Sequence, residues 1–385
     1  MVILYNFASI KNEDEITKFL HDGANINDFD QAGDTLLVNM CTRGNKERVE
    51  FLIQKGANVN KASRYDKKTP LIWASQMGFY DIADLLLKNN ANPNMADANN
   101  NTALTYAYER GDTSIVGLLI ENNANLDIVL KEGKTILTCA CERGDIEVLK
   151  IALKRGANVN KSDKNCYTPL MYACLRQDKT MIDLLLAYGA NVNAINKMKW
   201  ETPLVIACKK NNLDIVSYLI DKGASVNITQ NNMGNTPLII ACQNNNFDMV
   251  KYLVEKGSEI NTYGMFNKVA IVEALKAGNR RIAEFLMENG ANLNMVDKDG
   301  ITPLKCACNM HDFRLAKKIM KSLSNDTKTR VEKLKSMVDD RQSNELLKNT
   351  SNEVLNNIRE EKRIREREEI IELIYRGKRG AFREM

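Results

Sequence analysis

Cysteine and histidine are the first candidates for chemistry in this chain, and there are nine of the former and two of the latter. The triplet "CAC" stands at 139–141 and again at 306–308. Zinc would need ligands that converge, but residues two apart on a helix project about 200° apart, so such a pair cannot grip one ion. Cys41, Cys141, Cys174, Cys208, Cys242 and Cys308 each follow a Thr by six residues. That register marks a small packing position, where Cys behaves as a small hydrophobe. The count is odd and the chain long, which argues against a disulfide scaffold. His21 and His311 lie near opposite ends, so neither is placed to complete a Cys–His or Ser–His–Asp arrangement. Neither GxxxxGK[ST] nor a GxGxxG between strand and helix occurs. The expectation is a protein that is not an enzyme and uses no cofactor and no metal.

The elements that carry these residues follow from a period. A five-residue joint of the "GANVN" type begins at Gly23, Gly56, Asn90, Asn123, Gly156, Gly189, Gly223, Gly257 and Gly290, with steps of 33 or 34 residues. A second landmark, "TPL", begins at Thr69, Thr168, Thr202, Thr236 and Thr302, with looser forms at Thr35, Thr102 and Thr135. At Val269 the frame holds but the letters do not. From each Thr position to the next joint is 21 residues, and from joint to Thr is 12 or 13. All length variation therefore lies in one segment, which separates a fixed unit from an adjustable loop.

The fixed unit reads as two short helices. Thr is a good N-cap, and Pro at the first helical position has its φ preset and lacks only an N–H that would be orphaned there. Nine residues after Thr stand Gly44, Gly78, Gly111, Gly144, Gly278, Asn211 or Asn245, types that tolerate a left-handed helix end, whereas Gln177 and His311 depart from the pattern. The second helix carries apolar pairs such as "IVSYLI" at 215–220 and stops at the joint, where Ala and Val can pack inward and Asn suits the following turn.

A period of 33 with Thr-Pro-Leu, a helix-ending Gly and a terminal "GANVN" resembles the ankyrin repeat, with about nine to ten repeats over residues 1–321. The resemblance implies a mainly α fold: an ankyrin-repeat solenoid of helix-turn-helix units, each with a β-hairpin-like finger, whose fingers and first helices line a concave surface. The family's His after Thr-Pro-Leu is replaced here by Ile72, Thr105, Thr138, Met171, Val205, Ile239, Val272 and Lys305, so the loops that His would hold are expected to be held less firmly.

The resemblance also implies protein partners, contacted just before Thr-Pro-Leu and near the end of the first helix. At those positions the candidates for partner binding are Tyr65, Tyr167, Leu175, Arg176, Met198, Trp200, Lys209, Lys210, Met233, Met265 and Phe266. Trp200 stands where other copies place Gly33, Gly133, Gly234 or Gly300, which is poor turn chemistry. Exposed aromatic and Met side chains on successive fingers would form a hot-spot strip; alternatively Trp200 and Phe266 fold back over their own fingers and fill gaps. One-residue insertions fall in the fingers of Tyr65, Trp200 and Met233. Glu109, Arg110, Lys131, Glu142 and Arg143 read as a solvated face.

Beyond residue 321 the period stops, and residues 322–385 read as a charged helical extension, with Asp326 and Ser343 as N-caps. It serves either as a cap on the last repeat or, in the alternative reading, as a recruiting element for a second partner or effector machinery attached to a targeting array. A net charge of +5 on 385 residues gives no sign of a nucleic-acid partner. The start has no basic n-region or long apolar run, and no stretch reaches the roughly 18 apolar residues of a membrane helix. The expectation is a monomeric, cytoplasmic scaffold or interaction module without membrane insertion.

Overall fold

The computed structural model describes residues 13–227, 234–310, 312 and 314–324. His311, Met233 and the extension from 325 onward, with its expected caps Asp326 and Ser343, lie outside the described residues. The described chain divides into two compact units, Met1–Met198 and Lys199–Met385.

In the first unit a helix, Glu13–His21, is followed by helix pairs in steady succession: Leu36–Thr42 with Lys46–Gln54, Pro70–Met77 with Tyr80–Lys88, Ala103–Arg110 with Thr113–Glu121, Ile136–Arg143 with Ile146–Lys154, and Pro169–Arg176 with Lys179–Ala187. Each pair starts at the expected Thr. The Oγ1 of Thr35 accepts the Val38 N–H at 3.2 Å, and that of Thr69 accepts the Ile72 N–H at 3.2 Å. Such a cap contributes about 1 kcal/mol. Each first helix ends in a left-handed residue, as Gly78 does at φ 79°. Gln177 takes the same conformation at φ 60°, so this departure in sequence leaves the turn unchanged. First helices pack on first helices and second helices on their neighbours. They enclose a continuous core that includes Leu37, Leu52, Leu86, Leu119, Leu149 and Leu185, all fully buried.

The second unit repeats the plan with Pro203–Lys209 and Leu213–Asp221, Pro237–Gln243 and Phe247–Glu255, Ala270–Lys276 and Arg280–Glu288, and then Pro303–Asn309 followed by helical residues 314–324. Val269 gives its helix no side-chain cap, yet the helix forms in register because Ile271, Val272 and Leu275 are buried. Here tertiary packing outweighs a missing local signal.

The joints do more than end helices. Gly56 adopts φ 87°, and a Cβ there would meet nothing within 4 Å, so glycine serves backbone conformation rather than space. Asn90 and Asn123 hold the same conformation at φ 65° and 64°. Four residues after the start of several joints an Asn clamps the next repeat. The Asn60 amide donates to the Asn90 carbonyl at 3.2 Å, and its Oδ1 accepts the Asn92 N–H at 2.7 Å. Asn94, Asn160, Asn227 and Asn261 do likewise to the joints that follow them.

Candidate partner-binding surface

The fingers between helix pairs contain no extended ladder among the described residues; their bridges are isolated, as at Phe29–Thr35 and Ala96–Thr102. A buried polar side chain at a fixed register closes several of them instead. Asp97 Oδ1 accepts the N–H groups of Asn99 and Asn101 at 2.9 and 2.8 Å, while its Oδ2 accepts the Tyr106 hydroxyl at 2.6 Å. Asp163 accepts the Tyr167 N–H at 2.8 Å and the Tyr172 hydroxyl at 2.7 Å. Tips also bond to the preceding tip, as Arg64 N–H does to the Gly33 carbonyl at 2.7 Å and Lys164 N–H to Glu132 at 3.2 Å. The family His is replaced in each of these repeats. Where Thr105 and Thr138 replace it, they return a hydrogen bond to the cap backbone of Thr102 and Thr135.

In the first unit, Tyr65 is 68% exposed and lies over Gly33, where a Cβ would come within 2.6 Å of its ring. Tyr167 is packed against Tyr172 with centroids 5.5 Å apart. Leu175 is half-buried, and Arg176 is exposed with its guanidinium donating to the Glu142 carbonyl at 3.1 Å. Met198 is exposed, its N–H held by Asn196 Oδ1 at 2.9 Å. A pocket of about 370 Å³ opens beside the fourth finger, lined by Tyr108, Leu130, Lys134, Cys139, Glu142 and Arg143 among others. The Lys134 ammonium sits 2.8 Å from Glu132 and 2.9 Å from Glu142. Burial alone would lower its pKa, but these two carboxylates outweigh that and raise it. Arg143 stacks 4.1 Å over the Tyr108 ring. Glu109 and Arg110 are exposed, as a solvated face requires.

In the second unit the tips carry aromatics. Trp200 is half-buried at φ 56°, its carbonyl pressed against Gly234. Phe266 is 61% exposed at φ 58°, with Lys298 Nζ 5.7 Å from its ring centroid. The two alternatives thus separate: Trp200 fills space in part, whereas Phe266 projects. Both hold a left-handed conformation that costs a bulky residue about 1–2 kcal/mol and costs glycine almost nothing. Met265 is exposed and its N–H bonds to the Gly234 carbonyl at 3.1 Å. Lys210 is exposed, while Lys209 forms an ion pair with Glu201. That pairing was not read from the sequence, although the spacing of eight residues, repeated by Lys68–Gln76 and Lys134–Glu142, is a signal that could have shown it.

Cys41, Cys139, Cys141, Cys174, Cys208, Cys242 and Cys306 are buried and unbridged, and burial pushes the Cys41, Cys174 and Cys208 thiols up in pKa. Cys139 is pushed up to about 12, chiefly by burial. Such thiols are poor nucleophiles. Cys308 shares the register of Cys41, Cys141, Cys174, Cys208 and Cys242 but is only half-buried. Among the described residues no group of three or more His, Cys, Asp and Glu could hold a metal ion. No described helix is long and apolar enough to cross a membrane.

A family model described as ankyrin repeats (3 copies) matches residues 5–97, 61–132, 104–196 and 170–264. A second, ankyrin repeats (many copies), matches 271–318. Among curated proteins the chain is 33% identical over 106 residues to a putative ankyrin repeat protein, R664, of Acanthamoeba polyphaga mimivirus, covering 25% of this chain and 65% of the relative. It is 39% identical over 51 residues to a putative ankyrin repeat protein, FPV223, of fowlpox virus, covering 13% and 36%. It is 37% identical over 65 residues to the cyclin-dependent kinase 4 inhibitor B of Bos taurus, covering 17% and 48%. The matches thus span less than two thirds of each of these relatives.

Proposed function

The chain belongs to the ankyrin-repeat family, whose repeats generally mediate protein–protein interaction, and from this premise we propose that it is a non-catalytic scaffold that binds a protein partner through its fingers and first helices. The repeat array is residues 1–321, and 322–385 form a separate extension. In the first unit the contacts are Tyr65, Tyr167, Leu175, Arg176 and Met198; in the second they are Trp200, Lys209, Lys210, Met265 and Phe266. The protein works as a monomer in the cytoplasm.

Phe266 carries this reading. It is a large apolar side chain, mostly exposed, at a tip whose left-handed backbone would be more stable with glycine. Folding gains little from it, which is the profile of a residue retained for contact. The buried, high-pKa thiols support a non-catalytic role.

The test is affinity capture with the full chain, Trp200→Ala and Phe266→Ala, alongside thermal unfolding. The expected result is loss of a reproducible set of partners from the double variant, with the unfolding midpoint within a few degrees of wild type. Capture of the same set by a folded double variant would overturn the proposal.

A further inference from the structure

Charges on the finger and first-helix face of the second unit are sorted by depth. Three of its carboxylates lie low and are already satisfied, while Asp299 is exposed at a tip beside Lys298. Asp297, 4% exposed, accepts the N–H groups of Asp299 and Ile301 at 2.9 Å each and the Lys276 ammonium at 2.6 Å. Glu273, 8% exposed, accepts Gln243 Nε2 at 2.5 Å and stands 3.6 Å from Lys276 and 3.9 Å from Lys268. Glu201 is held by Lys209. The ammonium partners remain near water: the side chains of Lys209 and Lys276 are 46% and 40% exposed. Lys210, Lys298 and Lys305 are exposed as well. The surface presented outward therefore has more lysines than free carboxylates, five against the one of Asp299, with Met265 and Phe266 as its apolar feature.

We infer that this face binds an extended acidic peptide segment of the partner, an inference that rests on the protein-binding function proposed above. Its carboxylates meet Lys209 and Lys210 at one end and Lys276, Lys298 and Lys305 at the other, and an apolar side chain covers Phe266 and Met265. The spacing fits such a segment. The helices Pro203–Lys209, Pro237–Gln243 and Ala270–Lys276 pack in succession. Lys209 and Lys276 hold the same register two repeats apart, which at 8–10 Å per helix contact places them roughly 20 Å apart. An extended chain covers that distance in about six residues. A nucleic-acid strand, with a phosphate about every 3.4 Å along the duplex axis, calls for a denser row of cations than one or two per repeat.

The probe is a labelled extended peptide with two Glu about six residues apart and Leu between them, titrated against the full chain by fluorescence anisotropy. A Gln-for-Glu version and a single-stranded oligonucleotide serve as comparisons. The acidic peptide is expected to bind at least about tenfold more tightly than its Gln version, and to weaken as salt rises. Lys298→Gln with Lys305→Gln removes two exposed cations that hold no helix in place, and is expected to weaken the acidic peptide about fivefold while leaving thermal unfolding unchanged. Equal binding of the Glu and Gln peptides, or indifference to the double variant, would sink the inference. Tighter binding of the oligonucleotide through the same lysines would also sink it, by giving the face to nucleic acid. If the peptide fails while partner capture still depends on Trp200 and Phe266, only this inference falls. If capture ignores both aromatics, the parent proposal falls.

Discussion

Lys134 in the first unit and Lys209 in the second form the same clip from opposite ends of a helix. Lys134 precedes the cap Thr135 and reaches down to Glu142 in the last turn of Ile136–Arg143. In the second unit the signs are reversed: Glu201 precedes Thr202 and Lys209 ends Pro203–Lys209. Only the second arrangement agrees with the helix dipole, which favours an anion at the N-terminus and a cation at the C-terminus. The first is held by two carboxylates, Glu132 and Glu142, on one ammonium. The repeat frame thus tolerates either polarity, and the polarity decides which charge faces a partner near the helix end: glutamate in one unit, lysine in the other.

The comparison can be broken most forcefully at the buried acid of the second unit. Burial would raise the Asp297 pKa, but the Lys276 ammonium and the N–H groups of Ile301 and Asp299 outweigh it, so the carboxyl titrates below its ordinary value of about 3.9. A depressed carboxyl contributes stability that is complete above its unfolded pKa and is lost as pH falls through the folded value. Asp297→Asn is expected to lower stability near neutral pH by roughly 1–2 kcal/mol. That gap should close as the pH falls below about 4. Chemical denaturation at several pH values measures it, and a gap independent of pH would show that the charge contributes nothing.

Reversing the clip sharpens the comparison with a smaller effect. Glu201→Lys with Lys209→Glu keeps an ion pair but sets both charges against the dipole, so a loss of about 0.5–1 kcal/mol is expected in urea unfolding. The double variant should also bind the acidic peptide less tightly than wild type. No change in either would mean that polarity at this register is immaterial.

The smallest effect lies at a seam of the first unit. Asp127 replaces the clamping Asn, and a carboxylate has no N–H for the Gly156 carbonyl; Lys161 Nζ bonds instead to the Asp127 carbonyl at 2.8 Å. Asp127→Asn supplies the missing donor. It is expected to stabilise the unit by about 0.5 kcal/mol, read as a slightly higher denaturation midpoint, with slower hydrogen exchange at the joint 156–160.

Nearly all of the frame was legible in the sequence because its signals are local. A Thr cap acts on the N–H three residues on, a Gly or Asn at a helix end acts on its own φ, and the apolar period is read within one helix. Gln177 and Val269 show the limit of that reading. Each lacks the expected letter, yet neighbouring repeats impose the same turn and the same helix. The Asn of "GANVN" was legible only as a turn residue, since its clamp closes on a carbonyl about thirty positions away, as from Asn60 to Asn90. The candidate surface was legible in position but not in state. That Trp200 is half-buried while Phe266 projects depends on which glycine, side chain or ammonium the adjacent finger sets beside each ring.

The sequence by itself determined the repeat family, the helix pairs, their caps and the left-handed joints, because each rests on interactions within a few residues along the chain. Only the tertiary structure decided which lysines stay exposed over buried carboxylates, which aromatic projects and where a clamp is missing. Most of these depend on contacts between neighbouring repeats, as of Trp200 with Gly234 and Phe266 with Lys298, and even the Lys209–Glu201 pair within one repeat forms only once the helix between them has folded.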